Sequence, residues 1–286
     1  MDLEQRFRVR PRGFDLAKHD TRDAAGLDKQ TSETRRGKDL ERLDLLQERL
    51  YAEGRQALLV VFQAMDAAGK DGTIEHVMSG LNPQGVRVTS FKQPSKAELG
   101  HDWLWRCQIA LPARGEIGIF NRSHYEEVVA VRVHPEFLAG QAIDPAEADD
   151  GFWKARHEAI VAWERHLHRS GTRVVKFFLH VSKDEQRQRF LDRAAEQEKH
   201  WKFSAGDVAE REHWNDYQKA FAAALRATST RDSPWYVIPA DRKWLMRTAV
   251  AAILVHHLEA MAPAFPELSR DERAAMDEAV AALQAE

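Results

Sequence analysis

Short apolar runs recur along the chain and are separated by longer amphipathic segments. Five of the runs lie at 57–63, 86–91, 117–120, 173–181 and 235–239. Runs of this length, bounded by Gly, Pro or polar residues, are typical of strands that are covered on both faces. The pattern therefore predicts a sheet of five strands.

Helical periodicity occupies the segments between these runs. Leucines recur at helical spacing from Leu40 to Leu50, and this helix is expected to end at Gly54. Further helices are predicted at 71–80, 95–109, 122–130, 148–169, 183–197, 206–228, 241–261 and 269–285. Strands that alternate with helices favour a parallel sheet with helices on both faces, which is an α/β fold.

The chain reads as one domain over 1–286, because neither a linker nor an internal repeat interrupts the pattern. Its length and 43% hydrophobic content are sufficient for a substantial core. Residues 1–38 are polar and weakly periodic, and they predict an irregular N-terminal arm. Residues 266–286 predict a charged, Ala-rich C-terminal tail with little apolar surface to bury.

Composition and charge exclude several classes of protein. A formal net charge of −3 is unlike that of a polybasic protein, so no nucleic-acid partner is expected and any polyanion would need a local patch. The single cysteine, Cys107, excludes an internal disulfide framework and a thiolate zinc site. No apolar stretch approaches the ~18–20 residues of a membrane span, and no secretory signal is visible. A cytoplasmic protein without membrane contact is expected.

The loop after the first strand has the layout of a phosphate-binding loop. It reads Asp66, Ala67, Ala68, Gly69, Lys70, Asp71, Gly72, Thr73 and then enters a helix. Backbone N–H groups at such a helix start can bind an anion, and Lys70 adds a point charge for phosphate oxygens. The alternative is a tight strand–helix turn with a solvated Lys70.

Two positions depart from the usual Gly-x-x-x-x-Gly-Lys-[Ser/Thr] pattern. Ala64 replaces the first Gly, and Asp71 replaces the Ser or Thr that follows the lysine. Because the hydroxyl at that position normally holds Mg²⁺, another group must hold the metal. Asp66 is the obvious substitute. The pattern indicates unusual phosphoryl transfer.

The carboxyl ends of parallel strands share one edge of the sheet, so the loops that follow them are expected to converge. After the third strand come Asn121, Arg122, Glu126 and Glu127. Arg122 is expected to clamp the transferred phosphate, with a structural ion pair as the alternative. The two glutamates could order the nucleotide acceptor or metal-bound water, although one of them is expected to face solvent or pair with an arginine.

Two further segments reach the same edge. Lys92 follows the second strand, where an ordinary helix entry is the competing interpretation. Residues 182–206, after the fourth strand, are predicted to form a lid that excludes water, with a salt-bridged surface helix as the alternative. The lid carries cations that could bind phosphate: Arg187, Arg189, Arg193 and Lys202.

Taken together, these segments resemble the family-2 polyphosphate kinases, specifically the class III type. The resemblance runs from about Arg8 to about Phe265. It is carried by the stretches at 50–54, 63–73, 82–85, 89–94, 120–126, 199–203 and 233–244.

The resemblance implies a P-loop kinase-like, three-layer α/β/α fold with a helical lid. It also implies transfer of the terminal phosphoryl group of inorganic polyphosphate to ADP or GDP, and to AMP, with Mg²⁺ or alternatively Mn²⁺. The family's loop residues carry over to Asp66, Gly69 and Lys70, its second motif to Asn121, Arg122 and the acids after Tyr125, and its lid arginines to 187–193. We expect Asp66, Lys70 and Arg122 to be catalytic, and Asn121, Tyr125, Glu126 and Glu127 to bind the nucleotide. A homo-oligomer, tetramer or dimer, is expected.

One departure from the class III pattern concerns specificity. The class III pattern has Asp after Glu126, whereas this chain has Glu127, and the extra methylene could shift the balance between AMP and ADP. Two other functions compete with the polyphosphate kinase. They are an ATP-dependent nucleoside monophosphate kinase and a non-catalytic regulator that binds nucleotide or polyphosphate.

Overall fold

The computed structural model describes residues 2–286. All five predicted strands are confirmed, each to within one residue at either end. The strands are β1 (Ala57–Ala64), β2 (Val86–Ser90), β3 (Ile117–Asn121), β4 (Thr172–His180) and β5 (Trp235–Pro239). They form one parallel sheet in the order β2-β3-β1-β4-β5.

Twelve α-helices and several short 3₁₀ turns connect and flank the strands of the described chain. The helices are α1 (Leu3–Phe7), α2 (Lys29–Glu53), α3 (Lys70–Met78), α4 (Lys96–Leu99), α5 (Trp105–Gln108), α6 (Ala130–Val133), α7 (Asp150–Arg169), α8 (Lys183–Ala195), α9 (Ala205–Ala209), α10 (Trp214–Thr228), α11 (Lys243–Met261) and α12 (Arg270–Gln284).

Strand β1 is the centre of the sheet, with β3 on one side and β4 on the other. Its residues from Leu58 to Phe62 are fully buried, as expected for a central strand covered on both faces. Helices α2, α3 and α11 pack together as one group, and α7 and α10 form another beside β4. The α/β architecture predicted from the sequence is confirmed.

The expectation of an irregular arm over 1–38 is wrong in two places. Leu3–Phe7 is helical, and α2 begins at Lys29 rather than near Leu40. The Asp28 side chain caps α2 by accepting a hydrogen bond from the Thr31 amide, and Ser32 is buried in α2. Tertiary packing, rather than an apolar repeat, therefore sustains the first turns of this helix.

Three predicted helices are shorter or broken. The segment at 95–109 contains α4 and α5, separated by residues 100–104. The segment at 122–130 cannot begin as a helix, because Arg122 adopts a left-handed backbone with φ of +62°. The segment at 206–228 divides into α9, a 3₁₀ turn and α10.

The C-terminal tail is helical, as predicted, and α12 contributes no buried residue. Its start is fixed by a capping box in which Ser269 and Glu272 bond to each other's backbone amides. Within residues 2–286, no helix is long and apolar enough to cross a membrane.

An ion pair lies in the interior between β4 and α7. The Lys176 and Glu164 side chains are 0% and 1% exposed, and their charged groups are hydrogen-bonded. Lys176 Nζ also donates to the Tyr125 hydroxyl at 3.0 Å and to the Thr228 carbonyl at 2.9 Å. The network connects the sheet to Tyr125, and thereby to the loop that follows β3.

Removal of one partner of this pair should be strongly destabilising. Lys176→Met leaves the Glu164 carboxylate buried without its counter-charge, and we expect a loss of about 3–5 kcal/mol in the free energy of unfolding. Urea denaturation measures the loss. The double variant Lys176→Met/Glu164→Leu should recover part of it, because no isolated buried charge remains.

Lys219→Met is the matched control. Lys219 pairs with Asp216 at the surface, with side chains 78% and 58% exposed, so its removal should cost less than about 1 kcal/mol. A loss for Lys176→Met no larger than that for Lys219→Met would contradict the role given to the buried pair.

Candidate active site

A large cleft of about 1210 Å³ opens at the carboxyl ends of β1, β2 and β3. Most of the predicted site residues line it. They are Asp66, Ala67, Ala68, Gly69, Lys70, Asp71, Gly72, Lys92, Asn121, Arg122, Glu126, Glu127, Arg189, Arg193 and Lys202. The topology of the sheet therefore brings together segments that lie far apart in the sequence.

The loop between β1 and α3 has an unusual backbone conformation. Ala67 and Gly69 both have positive φ, at +58° and +104°, and Gly69 caps α3. A Cβ at Gly69 would lie 3.2 Å from the Met246 side chain, so strain and lack of space both favour glycine there. The first N–H groups of α3 have no intrahelical acceptor and are free for an anion.

Lys70 is the first residue of α3, and its side chain is buried at the base of the cleft. Its Nζ donates a hydrogen bond to the Ala64 carbonyl at 3.2 Å, and no carboxylate of residues 2–286 lies within 4.0 Å of it. Burial, and then the charge of Arg122, lower the pKa of Lys70 below its ordinary value. The positive charge is therefore directed into the cleft and is only partly compensated by the protein.

Asp71, one of the two departures from the common loop pattern, faces Asn121 across the cleft. Asn121 ends β3, and its Nδ2 donates a hydrogen bond to the Asp71 Oδ1 at 2.7 Å. A typical site has a hydroxyl on the loop and an acid at the strand end, whereas this chain has an acid on the loop and an amide at the strand end. Asp71 therefore offers the cleft a carboxylate, so any direct contact with phosphate is limited to its backbone amide.

Arg122 is held in a strained conformation at the end of β3. Its φ of +62° is uncommon for a long side chain, and strain of this kind clusters at functional sites. The guanidinium donates to Asp66 Oδ1 at 2.6 Å and lies 3.8 Å from Glu126 Oε2. Glu126, and more weakly Asp66, raise the pKa of Arg122 against the effect of burial. Arg122 is thus a permanent cation between two carboxylates of the cleft.

Glu127 lines the cleft, but its carboxylate is already engaged. Oε2 accepts hydrogen bonds from Arg156 Nη1 at 2.7 Å and from Gln141 Nε2 at 2.6 Å. Arg156 Nη2 in turn donates to Gln141 Oε1 at 2.6 Å. The side chain is buried, so of the two alternatives left by the sequence, solvent or an arginine, Glu127 has the arginine. Glu127 therefore shapes the wall of the cleft through Arg156.

Two predicted contacts with substrate are wrong. Tyr125 is fully buried, and its hydroxyl lies 2.8 Å from Glu164 Oε1 and 2.9 Å from Thr228 Oγ1 in the core, so it supports the loop after β3 and does not face the cleft. Thr73 is also fully buried, and both its amide and its hydroxyl donate to the Gly69 carbonyl. Neither residue has a free polar group for a ligand.

The predicted lid arginines have three different environments. Arg189 is buried in the wall of the cleft, and its guanidinium donates to the carbonyls of Ala67, Ala68 and Ala240, so it stabilises the phosphate loop. Arg193 lines the cleft, whereas Arg187 is exposed and does not. The expectation that Arg187 binds phosphate is therefore not supported by its position in this structure.

Several residues around the site carry no recognisable sequence signal. Gln186 Nε2 donates to the Asp66 carbonyl at 2.8 Å, and Arg211 Nη1 donates to Gln186 Oε1 at 2.5 Å. Asp207, on α9, lies near Asp66, and burial followed by that negative charge raises its pKa. These side chains become neighbours only through tertiary packing, so spacing along the chain could not reveal them.

The carboxylates of the cleft fit a metal that is bound largely by its substrates. Among residues 2–286, no three His, Cys, Asp or Glu side chains gather into a preformed metal site. Asp66 and Glu126 do face the cleft. Mg²⁺ is commonly held by one or two carboxylates together with water and substrate phosphates, and this donor set suits that mode.

Comparisons with known protein families and with curated proteins find the same group of relatives. The sequence model of the family described as polyphosphate kinase 2 matches residues 26–266. An ADP-polyphosphate phosphotransferase from Rhodopseudomonas palustris is 54% identical over 235 residues, which cover 82% of this chain and 81% of that protein. An AMP/ADP-polyphosphate phosphotransferase from Meiothermus ruber is 47% identical over 266 residues, 92% and 96% of the two chains.

A solved structure agrees over nearly the whole chain. The crystal structure of polyphosphate kinase 2 from Arthrobacter aurescens TC1 superposes with a TM-score of 0.90 at 38% identity, covering 98% of this chain and 97% of that one. The fold and the sequence relationships agree. This chain belongs to the polyphosphate kinase 2 family.

Proposed function

We propose that this protein transfers the terminal phosphoryl group of inorganic polyphosphate to ADP, GDP and AMP. The observation that carries the proposal is the convergence of Lys70, Arg122 and a helix N-terminus on one cleft that lacks the usual loop hydroxyl. The names of related proteins support each acceptor, because they include ADP-, AMP/ADP- and GDP-polyphosphate phosphotransferases.

Charge neutralisation is the first requirement of this reaction. Polyphosphate and a nucleotide are both strongly anionic, so they repel each other until cations reduce that charge. Lys70 and the free amides of α3 would bind the phosphates of one substrate. Because the Lys70 ammonium has no carboxylate within 4.0 Å among residues 2–286, the cleft is preorganised for an anion.

Arg122 would stabilise the phosphoryl group in transit. Its planar guanidinium can bind two oxygens at once, and a single arginine in this role can contribute about 10³–10⁵ in rate. Asp66 and Glu126 hold the guanidinium at the end of β3 before substrate binds. No general base is needed, because the attacking phosphate of the nucleotide is already ionised.

Asp66, with Glu126 nearby, would hold Mg²⁺ or alternatively Mn²⁺. When bound, the metal would neutralise phosphate charge and help to align donor with acceptor. The residues of 182–206 would act as a lid that excludes water. Trp201 and Lys202 both line the cleft from this segment, and Trp201 is 79% exposed, so it is available for a contact made on closure.

We further propose that the protein acts in the cytoplasm as a homo-oligomer, a tetramer or a dimer. Inorganic polyphosphate and nucleoside mono- or diphosphates would be its substrates, without a nucleic-acid or membrane partner. The formal net charge of −3 supports the absence of a nucleic-acid partner, since a polyanion could bind only at a local basic patch such as the cleft.

The choice of donor separates the proposed function from its two alternatives. With ADP, Mg²⁺ and polyphosphate as the only phosphoryl donor, we expect ATP to form. An ATP-dependent monophosphate kinase would form none under these conditions and would phosphorylate AMP with ATP instead. A non-catalytic regulator would bind either substrate without turnover at any Mg²⁺ or Mn²⁺ concentration.

Lys70→Ala should abolish turnover almost completely while the fold is retained. The lysine supplies the cation at the base of the cleft, and an alanine leaves the phosphates without it. Steady-state assays with polyphosphate and ADP measure the loss, and circular dichroism checks the fold. Lys219→Ala, at an exposed lysine, is the control. Activity of Lys70→Ala within a few-fold of the wild type would contradict the assignment.

Glu127→Asp should raise turnover of AMP relative to ADP. The shorter side chain restores the class III residue, and it moves the carboxylate relative to Arg156 on the cleft wall. One methylene in a binding pocket can change discrimination by about tenfold or more, so a change of up to about tenfold in the AMP/ADP ratio of kcat/KM is expected. Assays with AMP, ADP, GMP and GDP measure it. An unchanged ratio would exclude Glu127 from acceptor choice.

A further inference from the structure

A second cavity, of about 620 Å³, lies between α7 and α10. It shares no lining residue with the active-site cleft. Helix α6 separates the two, because Val131 lines the cleft and Arg132 lines the second cavity. Any ligand bound here would therefore occupy a site distinct from that of the reaction.

The charged side chains that line this cavity carry a net positive charge. Four are basic and two are acidic: Arg132, Lys154, Arg165, Arg226, Asp150 and Glu158. Arg132 lies 3.8 Å from Asp150, and Lys154 lies 3.9 Å from Glu158. Each acid therefore lies near one basic residue of the lining, in pairs that are largely exposed to solvent. In the described chain, Arg165 and Arg226 have no carboxylate within 4.0 Å.

A buried histidine in the wall also has an unsatisfied group. His157 is 7% exposed, and its Nε2 has no hydrogen-bond partner among residues 2–286. Burial, and then the charge of Arg132, lower the pKa of His157 to about 4, so its imidazole is neutral near pH 7. A buried polar atom without a partner is costly, and such atoms mark places where a ligand or water completes the structure.

The remaining wall is apolar and made mainly of small side chains. Trp153, Val161, Ala162, Ala223 and Ala227 line it. The volume is within the ~300–1,000 Å³ that is usual for small-molecule sites. An apolar wall beside two unpaired guanidinium groups suits a ligand with a flat organic part and an anionic part.

We propose that this cavity binds a nucleoside phosphate. The phosphates would lie between Arg165 of α7 and Arg226 of α10, because guanidinium groups bind phosphate oxygens bidentately. The base would contact the apolar wall. The inference does not rest on the function of the active site, since the two sites have no residue in common.

Equilibrium dialysis with radiolabelled ATP tests the proposal. We expect two ATP molecules per chain for the wild type and one for Arg165→Ala/Arg226→Ala. The double variant should keep its turnover within about twofold, because neither arginine lines the cleft. Arg169→Ala/Arg273→Ala is the matched control, since both residues are exposed, lie outside the cavity and change the net charge equally. It should still bind two.

Competition with inorganic tripolyphosphate shows whether the cavity recognises the nucleoside as well as the phosphates. Tripolyphosphate should displace the second ATP at least about tenfold less well than unlabelled ATP, because it cannot bury apolar surface against the wall. Equal displacement would overturn the nucleoside identity of the ligand.

Two other results would overturn the proposal as a whole. The first is the same number of bound ATP molecules per chain, one or two, in the wild type and in Arg165→Ala/Arg226→Ala. The second is a wild type that binds one ATP and self-associates, in sedimentation velocity, only while both arginines are present. That result would make the cavity a contact between two copies of the chain. Failure of phosphoryl transfer itself would appear separately, as absent turnover with two ATP molecules still bound.

Discussion

The hold of Arg189 on the phosphate loop is the interaction on which the active site depends. The loop must turn sharply after β1, and Ala67 and Gly69 adopt positive φ to do so. Arg189 donates to the carbonyls of Ala67 and Ala68, which engages those carbonyls and fixes the turn. One buried guanidinium thus stabilises a strained loop and leaves the amides of α3 free for an anion.

On the other side of the cleft, side-chain hydrogen bonds also stabilise a strained backbone. Arg122 is strained at the end of β3, where Asp66 and Glu126 hold its guanidinium. Behind it, Tyr125 is fixed by the buried pair of Lys176 and Glu164. The loop that carries Arg122 is therefore supported by the core before substrate arrives.

In this chain the carboxylate lies on the phosphate loop and the uncharged polar group lies at the end of β3, the reverse of the usual arrangement. Asp71 and Asn121 replace the usual hydroxyl and acid, and they bond to each other at 2.7 Å. The number of carboxylates near the phosphates is therefore preserved although their positions change. This explains how a member of the polyphosphate kinase 2 family can lack the common hydroxyl and still offer carboxylates that suit a metal bound mainly by substrate.

The sequence alone determined the five strands, their parallel arrangement, the phosphate loop after the first strand, and Lys70 and Arg122 as candidate residues of the site. These features are local: apolar runs, a glycine turn and charges at strand ends. Only the tertiary structure decided that Tyr125 faces the core, that Arg189 supports the loop and that Glu127 pairs with Arg156. The direction of a side chain, and its partners from distant segments, depend on packing that no spacing along the chain encodes.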